Sequence, residues 1–194
     1  MLVLVGPSAS GKTESAKIMI NRYPISRVVT CTTRPKRTNE IDGFDYHFLT
    51  ESDFFKKKSS GFFIETTKYN SYYYGTPKNE LGENKFIILE PKGLASFLNL
   101  DIDLVAIFLK TKEEVRIERM KQRKDKIKDI NARIAEDKIQ FDLSIIKGLD
   151  LVIDTSNITL SNLADLIYKK YIDILTKKKN KYKQLSLFEE EEWI

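Results

Sequence analysis

The apolar run Met1 to Val5 leads directly into Gly6-Pro7-Ser8-Ala9-Ser10-Gly11-Lys12-Thr13, and this junction limits the fold more than any other stretch of the chain. The run reads as a buried strand of a parallel sheet. Thr13 to Tyr23 reads as the helix that follows, with Ala16, Ile18, Met19, Ile20 and Tyr23 offering an apolar face before Pro24. Between strand and helix the glycines let backbone N–H groups turn toward an anion, and the helix N-terminus adds the positive end of its dipole. Lys12 reaches the outer phosphates of a nucleoside triphosphate, and the Thr13 hydroxyl suits Mg²⁺. Lys and Thr at these offsets serve no packing purpose. The octapeptide therefore predicts a triphosphate held by residues 6 to 13, and leaves open what receives the phosphate.

At 194 residues the chain suits one α/β domain with inserted subregions. Short apolar runs at Lys85 to Leu89, Leu104 to Leu109 and Leu151 to Ile153 read as further central strands, and Arg27 to Thr32 as the second strand. Helical patterns fall at Gly93 to Leu100, Thr111 to Gln122, Asp129 to Lys147 and Thr159 to Leu175. This alternation predicts a doubly wound parallel sheet whose ligands lie beyond the carboxyl ends of its strands. Residues 35–76 start as a breaker-rich basic loop and continue aromatic and β-prone, with Phe44 to Leu49 alternating like a strand and a short helix at Glu51 to Lys58 capped by Thr50 or Ser52. The expected organisation is a domain over 1–175, with its core at 1–34 and 77–175, a small β-rich insertion at 35–76 and a charged, lid-like segment at about 119–133. A mobile tail at 176–194 follows.

The formal charge of +5 suits an anionic small molecule and does not by itself require nucleic acid. Lys56 to Lys58 reads as a solvated face. The single cysteine, Cys31, excludes an internal disulfide and a multi-cysteine zinc site, and fits a reducing cytoplasm. No apolar run reaches membrane-spanning length, and the strand beginning at Met1 leaves no room for a signal peptide. The lone His47 reads as a packed or partly exposed strand residue.

The acceptor is indicated by four further blocks. Thr32-Thr33-Arg34-Pro35-Lys36-Arg37, then Glu40 to Phe48, then Phe63-Ile64-Glu65, then Tyr73-Tyr74-Gly75-Thr76 resemble, in order and spacing, the signature blocks of guanylate kinases. With the phosphate loop and later arginines the resemblance spans about residues 1 to 170. It implies a P-loop NTPase fold with a monophosphate-binding region and a helical lid, and ATP-dependent, Mg²⁺-assisted phosphorylation of GMP or dGMP. A phosphomonoester is a dianion, to which Arg34 and Arg37 present planar forks while Tyr46 and Tyr74 add neutral donors. Glu65 resembles the carboxylate with which the family reads the N1 and N2 edge of guanine, and adenine would leave it unpaired. Thr30 and Thr76 match hydroxyl positions that contact the acceptor, and Glu90, which matches the second acid of an Asp-x-Asp pair, is expected at the acceptor with them. Arg119, Arg123 and Arg133 resemble lid arginines that join Lys12 and Arg34 in stabilising the transferred group.

The chain also departs from the family. Ile88 replaces the first acid of the Asp-x-Asp pair, Asp154 stands where Asn is frequent, and the lid is one residue short. A non-catalytic interaction module of the same fold, and a kinase of another nucleotide or a phosphorylated sugar, are the competing readings. The first has no use for Lys12 and Thr13, which favours an enzyme. In the tail, Gln184-Leu185-Ser186-Leu187-Phe188 is similar to the peptide by which bacterial replication and repair proteins dock on the sliding clamp. The alternative is that these side chains fold back onto the domain or a partner subunit.

Overall fold

β1 (Leu2–Val5) is buried on both faces, as a strand must be when helices cover both sides of a parallel sheet. It lies between β7 (Lys85–Ile88) and β8 (Val105–Lys110), parallel to both, so that Leu4 is paired with Ile88 on one side and Ile107 on the other. β2 (Ser26–Arg27) and β9 (Leu151–Asp154) complete a five-stranded sheet in the order β2-β7-β1-β8-β9. After β1 the chain goes to the edge at β2, fills in β7 beside β1, and then builds outward on the other side through β8 and β9, which places the end of β1 at the switch point of the sheet. The computed structural model describes residues 1–69 and 71–191, with Tyr69 and residues 182–191 described through their backbone alone.

Alternation along β1 divides the core. Leu2 and Leu4 face α1 (Lys12–Arg22) and α6 (Leu160–Glu191), packing with Met19, Leu163, Ile167 and Tyr171. Val3 and Val5 face α3 (Pro91–Phe97), packing with Leu94, Phe97 and Phe108. Tyr171 is 1% exposed and its hydroxyl donates to the Glu83 carbonyl, tying α6 to the turn before β7. Residues 31–77 carry a second sheet made from β3 (Cys31–Thr32), β4 (His47–Phe48), β5 (Phe63–Tyr69) and β6 (Tyr72–Pro77), ordered β4-β3-β6-β5. α2 (Glu51–Ser59), capped by the Thr50 hydroxyl, buries Phe54 against Phe63 and Tyr73 of that sheet. α4 (Glu113–Gln122) and α5 (Ile127–Gln140) form the helical arm after β8. Among the described residues no helix is long and apolar enough to cross a membrane.

Five boundaries differ from the sequence expectation. The run at 27–32 is split between two sheets: Arg27 pairs with Phe86, Cys31 pairs with Gly75 and His47, and the chain crosses over with Val28 buried between them. The strand expected over 44–49 shrinks to β4, because Asp42 and Asp45 accept backbone N–H bonds from Phe48 and Ile41 and fold the preceding residues into turns. The helix expected to reach Lys147 stops at Gln140, since Phe141, Leu143, Ile146 and Leu149 leave the helical path to cover the α3 side of the core. β9 is an edge strand rather than a central one, pairing with β8 alone and leaving Val152 44% exposed.

The last difference is α6, which continues past Leu175 into the stretch expected to be a mobile tail. Lysines expected in the mobile tail find partners there: Lys178 pairs with Asp150 at 2.7 Å and donates to the Leu104 carbonyl at 2.6 Å, and Lys179 pairs with Glu83 at 2.6 Å. The side chains of Gln184 to Phe188, on which the sliding-clamp expectation falls, lie outside the described residues.

Tyr171 gives the core a direct test. Tyr171→Phe leaves the Glu83 carbonyl without its donor and should cost about 1 kcal/mol, while Tyr171→Ala also opens a cavity and should cost about 3–5 kcal/mol. Urea unfolding of the two variants measures both values.

Candidate functional site

The chain turns from β1 into α1 through three residues of positive φ. Gly6 is at φ 151, and a Cβ there would meet the Leu109 carbonyl oxygen at 2.6 Å; Ala9 and Gly11 are at 60 and 100. This winding keeps the loop folded over the end of the sheet, with the first N–H groups of α1 free of helical partners. The Lys12 ammonium lies in its concavity, donating to the carbonyls of Gly6 at 2.5 Å and Pro7 at 2.8 Å and to the Ser10 hydroxyl at 3.3 Å. Burial brings its pKa down to about 8, against the pull of Asp137 and Glu90, with Arg116 adding to the depression. Ala9 to Glu14, together with Arg119 and Arg123, line a cavity of about 120 Å³. All the loop residues expected at a triphosphate from Ala9 to Thr13 therefore line one cleft, with Thr13 exposed at it.

The three arginines expected on a lid are placed differently from one another. Arg119 donates to the Ala9 carbonyl at 3.1 Å and the Thr155 carbonyl at 2.7 Å, so its guanidinium bridges the loop and the end of β9. Burial lowers its pKa. Arg123 and Arg133 share the same oxygen of Asp125, at 3.1 and 3.2 Å. Arg119 and Arg123 reach the cleft, and Arg133 is linked to it through Asp125.

On the insertion, Arg34 lies over the rings of Tyr46 and Phe48, 5.5 and 5.8 Å from their centroids, and Tyr74 stands edge-on to Tyr46 at 6.1 Å. Glu40 takes one arm of the Arg34 fork at 2.6 Å and the backbone N–H of Arg37 at 2.8 Å. These bonds push the Arg34 pKa up and the Glu40 pKa down. The structure thus brings Arg34, Tyr46 and Tyr74 together, whereas the Arg37 side chain is exposed and its contribution to this cluster is the main-chain bond to Glu40. Glu65 on β5 accepts from the buried Thr76 hydroxyl of β6 at 2.7 Å, pairing two residues expected at the acceptor. Thr30 is half-buried and its carbonyl accepts from the His47 N–H. His47 itself contacts Glu80 at 3.2 Å, the packed role expected of it. Glu90 precedes α3 and is exposed, with its charge felt at Lys12.

Three buried polar residues at the loop have no counterpart in the sequence patterns. Thr155 donates to the Ser10 carbonyl at 2.9 Å. Arg116 and Asp137 form an ion pair at 2.5 Å, and Asp137 accepts the Ser8 N–H at 2.9 Å. Each is a single polar residue within a helix or just past a strand, and only the packing of α4 and α5 beneath the loop brings them together. Among the described residues no group of three or more His, Cys, Asp or Glu is placed to hold a metal ion.

A sequence model described as guanylate kinase matches residues 1–170. Guanylate kinase of Thermotoga maritima is 38% identical over 95 residues, which cover 46% of this chain and 46% of that protein. Guanylate kinase of Onion yellows phytoplasma is 34% identical over 155 residues, covering 74% of this chain and 73% of that protein. The match thus spans about half of the first relative's length and nearly three quarters of the second's. The crystal structure of guanylate kinase from Anaplasma phagocytophilum superposes with a TM-score of 0.62 at 24% identity, covering 87% of this chain and 82% of that one, a likeness of fold.

The Lys12 shift predicts opposite pH trends for stability and for ligand binding. Its pKa falls on folding from 10.5 to about 8, so between those values the unfolded chain holds a proton that the folded chain has released. Its contribution to stability therefore rises with pH across that window. A triphosphate held by the Lys12 ammonium, as the sequence leads one to expect, should bind with level affinity below about pH 7.5 and more weakly as pH rises beyond about 8. Titration calorimetry with ATP from about pH 7 to 9.5 should show that limb, and Lys12→Met should abolish it.

Proposed function

The chain belongs to the guanylate kinase family, and we propose that it transfers the terminal phosphoryl group of ATP to GMP or dGMP, forming ADP and the nucleoside diphosphate. The observation that carries this reading is the pairing of two distinct anion sites on one scaffold. Residues 6–13 with Lys12 make a triphosphate cradle at the end of β1, and Arg34, Tyr46 and Tyr74 make a compact phosphate fork on the insertion.

In this mechanism the phosphate loop and Lys12 hold the outer phosphates of ATP. The Arg34 fork, released from Glu40, takes the phosphate of the acceptor, with Tyr46 and Tyr74 completing its donors and Arg37 turning in from the surface. Glu65 accepts the two adjacent N–H groups of guanine, its geometry held by the Thr76 hydroxyl; Thr30 contacts the acceptor beside it. The acceptor phosphate oxygen attacks the terminal phosphorus of ATP in line, the bond to the bridging oxygen breaks, and ADP leaves. Charge shifts from donor to acceptor in that step, and Arg119, Arg123 and Arg133 stabilise it when the arm closes. Closure also keeps water from taking the phosphoryl group.

Mg²⁺ fits the donor set. Thr13 offers one exposed hydroxyl at the cleft and Glu90 one carboxylate near Lys12, a sparse protein contribution that suits an ion held chiefly by phosphate oxygens and water. Thr13 would be the residue to hold it, and the ion would supply positive charge to the phosphates of ATP. The intact Lys12 and Thr13 are also what weigh against a non-catalytic interaction module of the same fold.

A coupled assay of ADP release across nucleoside monophosphates tests the reading. GMP or dGMP should be the best acceptor, and a preference for AMP or UMP overturns the assignment. Glu65→Gln presents an amide donor to guanine and should reduce the preference for GMP over AMP by about tenfold or more. Lys12→Ala should lower turnover by about a hundredfold or more, and full turnover by that variant would sink the catalytic role.

A further inference from the structure

The buried pair Arg116–Asp137 is not needed for phosphate chemistry as set out above, yet it is in contact with the phosphate loop. Arg116, on α4, is 5% exposed and Asp137, on α5, is 7% exposed. Besides its 2.5 Å bond from Arg116, the carboxylate accepts the Ser8 backbone N–H at 2.9 Å on one oxygen and the Ser8 hydroxyl at 3.3 Å on the other. Arg116 in turn reaches the Ser8 carbonyl at 3.5 Å. Both polar groups of the Ser8 main chain and its hydroxyl are thus gripped from outside the loop.

The two helices that meet at Ser8 are the ones that bear the lid arginines. Arg119 and Arg123 follow Arg116 by about one and two turns of α4, and Arg133 precedes Asp137 by about one turn of α5, so each arginine lies on the same side of its helix as the buried charge. Stability alone is a poor account of the pair. Taking two charges out of water costs more than one contact returns unless their remaining groups are satisfied, and the buried Arg116 Nε has no partner among the described residues. Apolar side chains of similar volume would hold α4 against α5 at least as well. What they would not supply is directed, charge-assisted hydrogen bonding to the loop.

We propose that Asp137, held by Arg116, is a positioning residue for the donor phosphates: it fixes the first turn of the phosphate loop through Ser8 and, by the same contact, sets the distance from that loop to the arginines of α4 and α5. The proposal rests on the kinase reading for the identity of the donor, and its test does not depend on the acceptor.

The decisive variant is Arg116→Met/Asp137→Val, which removes both charges together and stays close to the parent volume. Its melting temperature should equal or exceed that of the parent, while its Kd for ATP, measured by titration calorimetry, rises about tenfold or more. In the coupled assay its kcat should fall and its KM for GMP stay within about twofold of the parent. Asp137→Asn keeps an acceptor for the Ser8 N–H and loses the charge; its ATP affinity should fall between parent and double variant. A folded double variant, or a folded Asp137→Asn should the double variant not fold, that binds ATP as tightly as the parent overturns the proposal. Failure of the parent to phosphorylate any purine monophosphate would instead overturn the kinase reading, and the ATP titration would still decide the role of Asp137.

Discussion

A lysine ammonium held largely out of water at the end of β1 is the constraint around which this molecule is arranged. An isolated buried charge of that kind is costly, and the loop offsets the cost with two of its own carbonyls and a hydroxyl. Those acceptors exist only because Gly6, Ala9 and Gly11 adopt positive φ and wind the chain over the sheet. The winding depends in turn on β1 being fixed, which its central position between β7 and β8 ensures. Core packing and site electrostatics are thus one problem: a shift of β1 would move the carbonyls that make Lys12 tolerable.

The insertion solves a similar problem at lower stakes. Arg34 is half-buried, lies across two aromatic rings, and has its charge matched by Glu40. Glu40 accepts from the Arg37 main chain as well, so one carboxylate organises the loop between β3 and β4. In the proposed reading a phosphate arriving at Arg34 would displace a carboxylate of the same sign that makes similar hydrogen bonds, so part of the gain from binding the phosphate would be offset by the release of Glu40.

The loop and the insertion were legible in the sequence because their chemistry is local. A phosphate cradle needs glycines, Lys and Thr at fixed offsets, and Arg34, Tyr46, Glu65 and Tyr74 belong to compact blocks with their own spacing. Boundaries set by tertiary contacts were not legible. The switch of sheets at Val28 has no local mark, the end of α5 at Gln140 follows from apolar residues beyond it packing on a distant strand, and the continuation of α6 through its lysines follows from Asp150, Glu83 and Leu104. Arg116, Asp137 and Thr155 escaped for the same reason. In sequence each is one more polar residue in a charged chain, and its meaning comes from an element folded in from elsewhere.

The departure at β7 fits the same electrostatic logic. Ile88 stands where a second carboxylate would sit, leaving Glu90 as the acid on that side of Lys12. On the other side Asp137 supplies a negative charge, but one already paired with Arg116, whose own charge acts on Lys12 with the opposite sign. The loop therefore has little uncompensated negative charge around its ammonium, and burial dominates the Lys12 pKa. A cleft poor in carboxylates repels an incoming polyphosphate less, at the expense of ligands for a metal ion. An Mg²⁺ ion of the kind proposed would find few carboxylates here and would depend on the phosphate oxygens of its nucleotide.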